Sequence, residues 1–203
     1  MPALDLAYPF EGRWLVQNSP ANRVPSHGTT RYASAHAIDF VPVGDDGRSA
    51  RFGLGSLLWP ERPERFPGFG RPILAPIAGT VVATHHDEPD HQAHRGFPSI
   101  GYALGQGRRA AAGWLALAGN HVFLQADHGP VIALCHLRWN SIVVTVGDRL
   151  AVGDPVARCG NSGNSTEPHL HLQAISTATV ERAEAIPISF DGTLPRNGEV
   201  TLA

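Results

Sequence analysis

The sequence predicts an all-β fold, a small antiparallel sandwich or barrel-like domain carrying long loop insertions, and three observations carry that prediction. Glycine and proline number 22 and 17 among 203 residues, too many for a helical bundle. The apolar residues fall in short runs rich in β-branched side chains, with turn pairs between them. The length suffices for one sizeable core and demands no second domain, so residues 1–203 are read as a single unit.

In chain order the strand signals are AHAIDFVPV (35–43), GTVVAT (79–84), GNHVFLQAD (119–127), VIALCHL (131–137), SIVVTV (141–146) and HLHLQAIS (169–176). His128-Gly129, Gly147-Asp148 and Gly153-Asp154 read as turns, and proline and glycine frame another in ILAPIAGTVVAT (73–84). Two glycine- and proline-rich stretches, 43–70 and 87–113, break the pattern and read as loop insertions into a core of 24–42 and 71–175. No internal repeat is present.

Sixteen basic against 18 acidic residues give a net charge of -2, which supplies no basic surface for nucleic acid or anionic lipid. No apolar run reaches the roughly 18 residues of a membrane span. The first residues, MPALDLAYPFEGRW, lack the basic and apolar regions of a secretory signal, so no export address is expected and the compartment stays open. Cys135 and Cys159 lie in apolar strand-like runs and are expected as buried thiols rather than a disulfide.

Chemistry concentrates at HLH. Alternate residues of a strand share a face, so His169 and His171 project together while Leu170 is buried behind them. Two imidazoles so placed supply two metal ligands, or one ligand and one catalytic base. Asp39 stands between Ile38 and Phe40, and alternation sends it to the face opposite those hydrophobes. A carboxylate in so apolar a strand needs a partner, which a metal or a polar, half-exposed face would provide. His136 ends an equally apolar run and gains weight only from its company. His85, His86, His91 and His94 lie among acidic residues and read as a solvated loop.

The run GNHVFLQADHGPVIALCHLRWNSIVVTVGDRLAVGDPVARCGNSGNSTEPHLHLQ resembles the core of the lysostaphin-type, or β-lytic, zinc metallopeptidases that act on peptidoglycan. The likeness spans roughly residues 71–175 without the 87–113 insertion, and AIDF resembles the family's acidic ligand strand. It implies a fold of the duplicated hybrid motif type, one zinc per chain, and hydrolysis of peptide bonds in peptidoglycan or a related peptide. It makes Asp39 and His171 zinc ligands and His136 and His169 catalytic histidines, their two roles interchangeable at this stage. The usual third ligand lies four residues before the aspartate, where this chain has Ala35. His36 would need a β-bulge to reach the same face. PSHGT (25–29) resembles a segment that supplies the histidine in some relatives, so His27 is favoured over His36. The family is usually extracytoplasmic.

Two other functions compete. One is a binding or regulatory module of the same fold without hydrolysis, although such modules usually lack ligands that this chain retains. The other follows from PILAPIAGTVVAT (72–84), which resembles biotinyl and phosphotransfer carrier domains. The chain contains no lysine, which excludes biotin or lipoate attachment and equally a phosphate-binding P-loop at GNSGNST. Phosphohistidine at His136 or His169 stays formally open. Glu167 reads as a surface turn carboxylate.

Overall fold

The computed structural model describes residues 3–127 and 129–203, so His128 of the His128-Gly129 turn lies outside the described residues. Thirteen strands dominate it: β1 (Leu4–Leu6), β2 (Arg13–Gln17), β3 (Ile38–Pro42), β4 (Pro72–Leu74), β5 (Gly79–His85), β6 (Asn120–Ala126), β7 (Val131–Leu137), β8 (Arg149–Leu150), β9 (Pro155–Arg158), β10 (Leu170–Ile175), β11 (Ala185–Ile186), β12 (Ile188–Phe190) and β13 (Val200–Leu202). Nine of them form one antiparallel sheet in the order β13-β2-β3-β10-β7-β6-β5-β8, with β11 also paired to β10. The path ends at two free edges, so the sheet does not close into a barrel. Smaller pairs are β4 with β9, antiparallel, and β1 with β12, the one parallel pairing among the described residues.

The sheet separates two apolar layers by alternation. Ile38, Phe40, Ile132, Leu134, Leu170 and Leu172 point into the larger core, where Phe10 stacks on Trp14 with ring centroids 4.3 Å apart. Each such side chain, fully buried, contributes about 1.5–3 kcal/mol. Val131, Ala133, Cys135 and Ile175 point the other way into a smaller cluster with Ala33, Ala118 and Phe123. Asp39, His171 and Gln173 share this second face. Both cysteines are buried and free, and burial raises their thiol pKa values.

Three expectations require correction. SIVVTV forms no strand. Val143 N–H reaches Val156 O at 3.0 Å, but the Asp148 carboxylate takes Thr145 N–H, and Val143 and Val146 are exposed. That segment is an edge crossing held at isolated points. The glycine- and proline-rich stretches are not plain loops: α1 (Leu54–Leu58) lies in the first, and α2 (Phe97–Leu104), α3 (Gln106–Ala111) and α4 (Trp114–Ala118) occupy and extend past the second. Finally, the histidine-rich segment is only partly solvated, with His86 exposed but His91 and His94 packed. His91 N–H donates to Asn161 O, its Nε2 lies 2.9 Å from Gly163 O, and the His94 ring stacks on Tyr102 at 4.6 Å. Among the described residues no helix is long and apolar enough to cross a membrane.

Candidate metal centre and its groove

Strand register builds the centre. In β3 and β10, Asp39 pairs directly with His171, and Gln17 and Cys135 continue the same row across β2 and β7. Directly opposed residues in a sheet share a face and stand within side-chain reach. Asp39 Oδ1 accordingly lies 2.8 Å from His171 Nδ1. His27 arrives from the loop ahead of β3 and sets Nε2 3.1 Å from Asp39 Oδ2. Ligand atoms of His27, Asp39 and His171 all lie within 4.8 Å of one another. His36 closes a 3-10 turn (Arg31–His36) before β3 and is not part of that group.

Neighbouring groups fix which nitrogen faces the carboxylate. Gln173 donates through Nε2 to Tyr32 O at 2.9 Å, which turns its Oε1 toward His171 Nε2 at 3.1 Å. An amide oxygen only accepts, so the His171 proton sits on Nε2 and Nδ1 keeps its lone pair for Asp39. The Ser26 hydroxyl, donating to Ser34 O, accepts from His27 Nδ1 at 3.0 Å and leaves His27 Nε2 bare. Asn18, at φ 49°, donates to Asp39 Oδ2 at 2.7 Å. Lone pairs facing a carboxylate at 2.8 and 3.1 Å call for a cation or a proton between them. Two neutral imidazoles and one carboxylate, with their outer atoms held by Gln173, Ser26 and Asn18, are a donor set that fits Zn2+.

In the metal-free protein the proton plays that part. Burial pushes the Asp39 pKa up, but the charges and hydrogen bonds of His27, His171 and His169 together hold it well below the ordinary carboxylate value. For His171 burial acts downward, and the Asp39 hydrogen bond and charge outweigh it, leaving the imidazole pKa raised. The two shifts agree on a carboxylate-imidazolium pair, whose proton a metal displaces on binding.

His136 and His169 stand beside this group, their ring centroids 4.6 Å apart. His169 precedes β10 by one residue and keeps the His171 face, with Nε2 3.9 Å from Asp39 Oδ1. Its Nδ1 donates to Glu167 O at 2.8 Å and Ser165 Oγ at 2.9 Å. His136 reaches the same face against simple alternation, which would bury it with Leu134. Pairing in β6 and β7 jumps from Val122–Leu134 to Asn120–Leu137, so Cys135 and His136 together oppose His121, and His136 adopts φ 60°. This bulge rotates the imidazole out of the core and onto the centre. Its Nδ1 donates to Ser162 O at 2.9 Å. Burial foremost, with His169 and His171 nearby, holds the His136 pKa well below its ordinary value. Both histidines thus present a bare Nε2, each fixed by a backbone carbonyl behind it.

The turn before β10 is wired on all sides. Asn161 N–H donates to Asp90 Oδ1, Ser162 Oγ to Leu137 O, and Ser165 Oγ to Asn161 Oδ1. Asn164 N–H donates to Leu117 O beyond the helical insertion, and Asn164 Oδ1 accepts from Arg109 Nε at 2.6 Å. The centre lies in a groove of about 600 Å³, lined also by Arg31 and Tyr32, by Tyr102 and Arg109 of the insertion, and by Trp114 just past it. Sequence reading missed Gln173, Asn18 and Arg109. Alternation could have found Gln173, two residues past His171; the other two depend on contacts distant in sequence.

The sheet thus gathers two histidines and a carboxylate that could hold a metal ion, with two further histidines beside them. The model of Peptidase family M23 matches residues 90–182 of the chain. The match contains His136, His169 and His171, while His27 and Asp39 lie upstream of it. Glycyl-glycine endopeptidase ALE-1 of Staphylococcus capitis is 27% identical over 88 residues, 43% of this chain and 24% of that protein. Peptidoglycan DD-endopeptidase ShyB of Vibrio cholerae is 29% identical over 108 residues, 53% of this chain and 24% of that protein. The chain therefore spans about a quarter of the length of either relative. Among solved structures, the catalytic domain of the antimicrobial peptidase lysostaphin from Staphylococcus simulans aligns with a TM-score of 0.43 at 16% identity, covering 90% of this chain and 88% of that one.

Proposed function

We propose that this protein is a zinc-dependent endopeptidase acting on peptidoglycan peptides or a related peptide, with His27, Asp39 and His171 holding the metal and His136 and His169 catalytic. The observation that carries the reading is the pair of bare Nε2 atoms, on His136 and His169, aimed at a three-donor centre inside one groove. When bound, zinc supplies Lewis acidity, which polarises a scissile carbonyl and makes hydroxide available near neutral pH. The protein does the rest.

His169 Nε2 is placed to accept a proton from the attacking water, because Glu167 O and Ser165 Oγ hold the other nitrogen as a donor. His136, which burial keeps neutral in the resting site, would pass to the leaving amine the proton that His169 takes from the water. The assignment of sides follows exposure: His169 is 9% and His136 5% exposed, so the former meets water first. Gln173, Ser26 and Asn18 would orient His171, His27 and Asp39 toward a bound metal. The peptidoglycan peptide as substrate, and an extracytoplasmic place of work, are supported by the activities named for the relatives. In this reading one domain spans the chain, with core 24–42 and 71–175 and with 43–70 and 87–113 as insertions that shape the groove.

The test is a metal analysis joined to an assay on purified peptidoglycan. About one zinc per chain and release of new amino termini support the proposal. Metal bound without new termini overturns it in favour of a non-hydrolytic binding module.

A further inference from the structure

Resting on that peptidase reading, we infer that the groove selects peptides bearing free carboxylates, and that Arg31 and Arg109 hold them. Three arginines line the groove, Arg23, Arg31 and Arg109, against two acidic side chains, Asp39 and Glu167. Both acids are engaged: Asp39 by His27, His171 and Asn18, Glu167 by the Ser49 hydroxyl. None of the three guanidinium groups meets a carboxylate among the described residues, although Arg149 and Arg95 elsewhere in the chain do. Cations left without counter-ions in the one groove that holds the metal centre await an anionic partner.

Arg109 is held in place on one wall, and Arg31, exposed on the other, rests beside a ring. Arg109 donates through Nε to Asn164 Oδ1 and through Nη2 to Tyr102 O, both at 2.6 Å, and its guanidinium lies 3.7 Å from the Tyr102 ring centroid. Arg31 lies 5.5 Å from the centroid of Tyr32, whose carbonyl orients Gln173 and through it His171. Tyr32 and Trp114 meet edge to face at 5.9 Å, which ties the two walls together. A guanidinium fixed as that of Arg109 is loses little freedom when it binds, and the planar fork of either arginine matches a carboxylate. All 16 basic residues of the chain are arginine. The mixed lining, aromatic rings and small apolar residues between the cations, suits a peptide backbone with acidic substituents better than a bare polyanion.

The experiment compares one synthetic branched stem peptide carrying free carboxylates with the same peptide in which each is a carboxamide. The full chain, zinc-loaded, is assayed for kcat/KM, and the metal-free chain for binding by calorimetry. We expect a preference of at least about tenfold for the carboxylate form, carried by KM and weakened by salt. Arg109→Gln and Arg31→Gln, each verified folded by its thermal midpoint, should bring the ratio toward 1. Equal cleavage and binding of both forms, or an undiminished preference in both variants, overturns the inference while leaving the peptidase reading intact. Arginine-dependent binding of the carboxylate peptide without cleavage supports the inference and overturns the peptidase reading. Tighter binding of a polyol-phosphate polymer than of the peptide overturns the carboxylate assignment.

Discussion

Asp39 and His171 stand directly opposite each other on neighbouring strands, with Oδ1 and Nδ1 2.8 Å apart. Neither atom has a proton to spare once Gln173 has claimed the hydrogen on Nε2, so the pair needs a cation. Asp39→Asn and His171→Ala should each lower zinc affinity by more than about tenfold, measured by competition with a chromophoric chelator. His27→Ala should do the same, and His36→Ala should leave affinity unchanged. Loss of zinc on His36→Ala with retention on His27→Ala would move the third ligand.

His136 and His169 lie beside the three-donor group without belonging to it. His136→Ala and His169→Ala are expected to bind zinc normally and to lose about 10²–10⁴-fold in kcat/KM, the range that general acid-base groups contribute. Single-turnover hydrolysis beside a metal titration separates the two quantities. Zinc loss in both variants would place these imidazoles among the ligands.

How much of this centre was legible beforehand depended on whether strand alternation held. It held at Asp39 and His171, whose neighbours Ile38, Phe40, Leu170 and Leu172 enter the core on the other face. Alternation failed at His136, because the bulge against His121 is set by pairing and by a positive φ that no local residue type announces. SIVVTV has strand propensity without a continuous ladder partner, so propensity misled there. The helices of 97–118 were hidden by glycines at 96, 105, 113 and 119, which are the junctions of short helical pieces rather than loop interiors. Arg109 was unreadable for the same reason, since its place in the groove follows from how those pieces pack on the 160–166 turn.

Gln173 fixes the His171 tautomer from behind. Gln173→Leu keeps the volume but removes the acceptor at Nε2, freeing the ring to tautomerise. A loss of about 10–100-fold in zinc affinity is expected, as for other outer partners of histidine ligands. Gln173→Glu, which still accepts, should recover most of it. Equal affinities in all three proteins would show that the ring is fixed by packing alone.

Gly163 and Gly119 bring the turn and the insertion into backbone contact. A Cβ on Gly163, which already has φ 70°, would lie 2.7 Å from Leu117 O and 2.8 Å from Gly119 Cα. Neither atom belongs to a flexible side chain, so the turn must move. Gly163→Ala should cost about 2 kcal/mol or more in urea unfolding, and it should also shift His136, whose Nδ1 is held by the neighbouring Ser162 O. An unchanged unfolding midpoint would mean that the two segments separate without penalty.

His121 offers a test of acid sensitivity outside the three-donor group. It is packed against Trp114, Phe123 and His85, and burial lowers its pKa to about 4 despite the hydrogen bond to Gly119 O. An imidazole protonated more readily in the unfolded chain stabilises the fold above its ordinary value of 6.5, and that stability drains away as pH falls toward 4. Between pH 7 and pH 5 the loss through this one group should be about 2 kcal/mol. His121→Gln keeps a donor for Gly119 O and removes the titration, so its stability should fall less over the same interval. Urea midpoints of both proteins at the two pH values give the difference; parallel declines would mean that His121 is protonated as easily folded as unfolded.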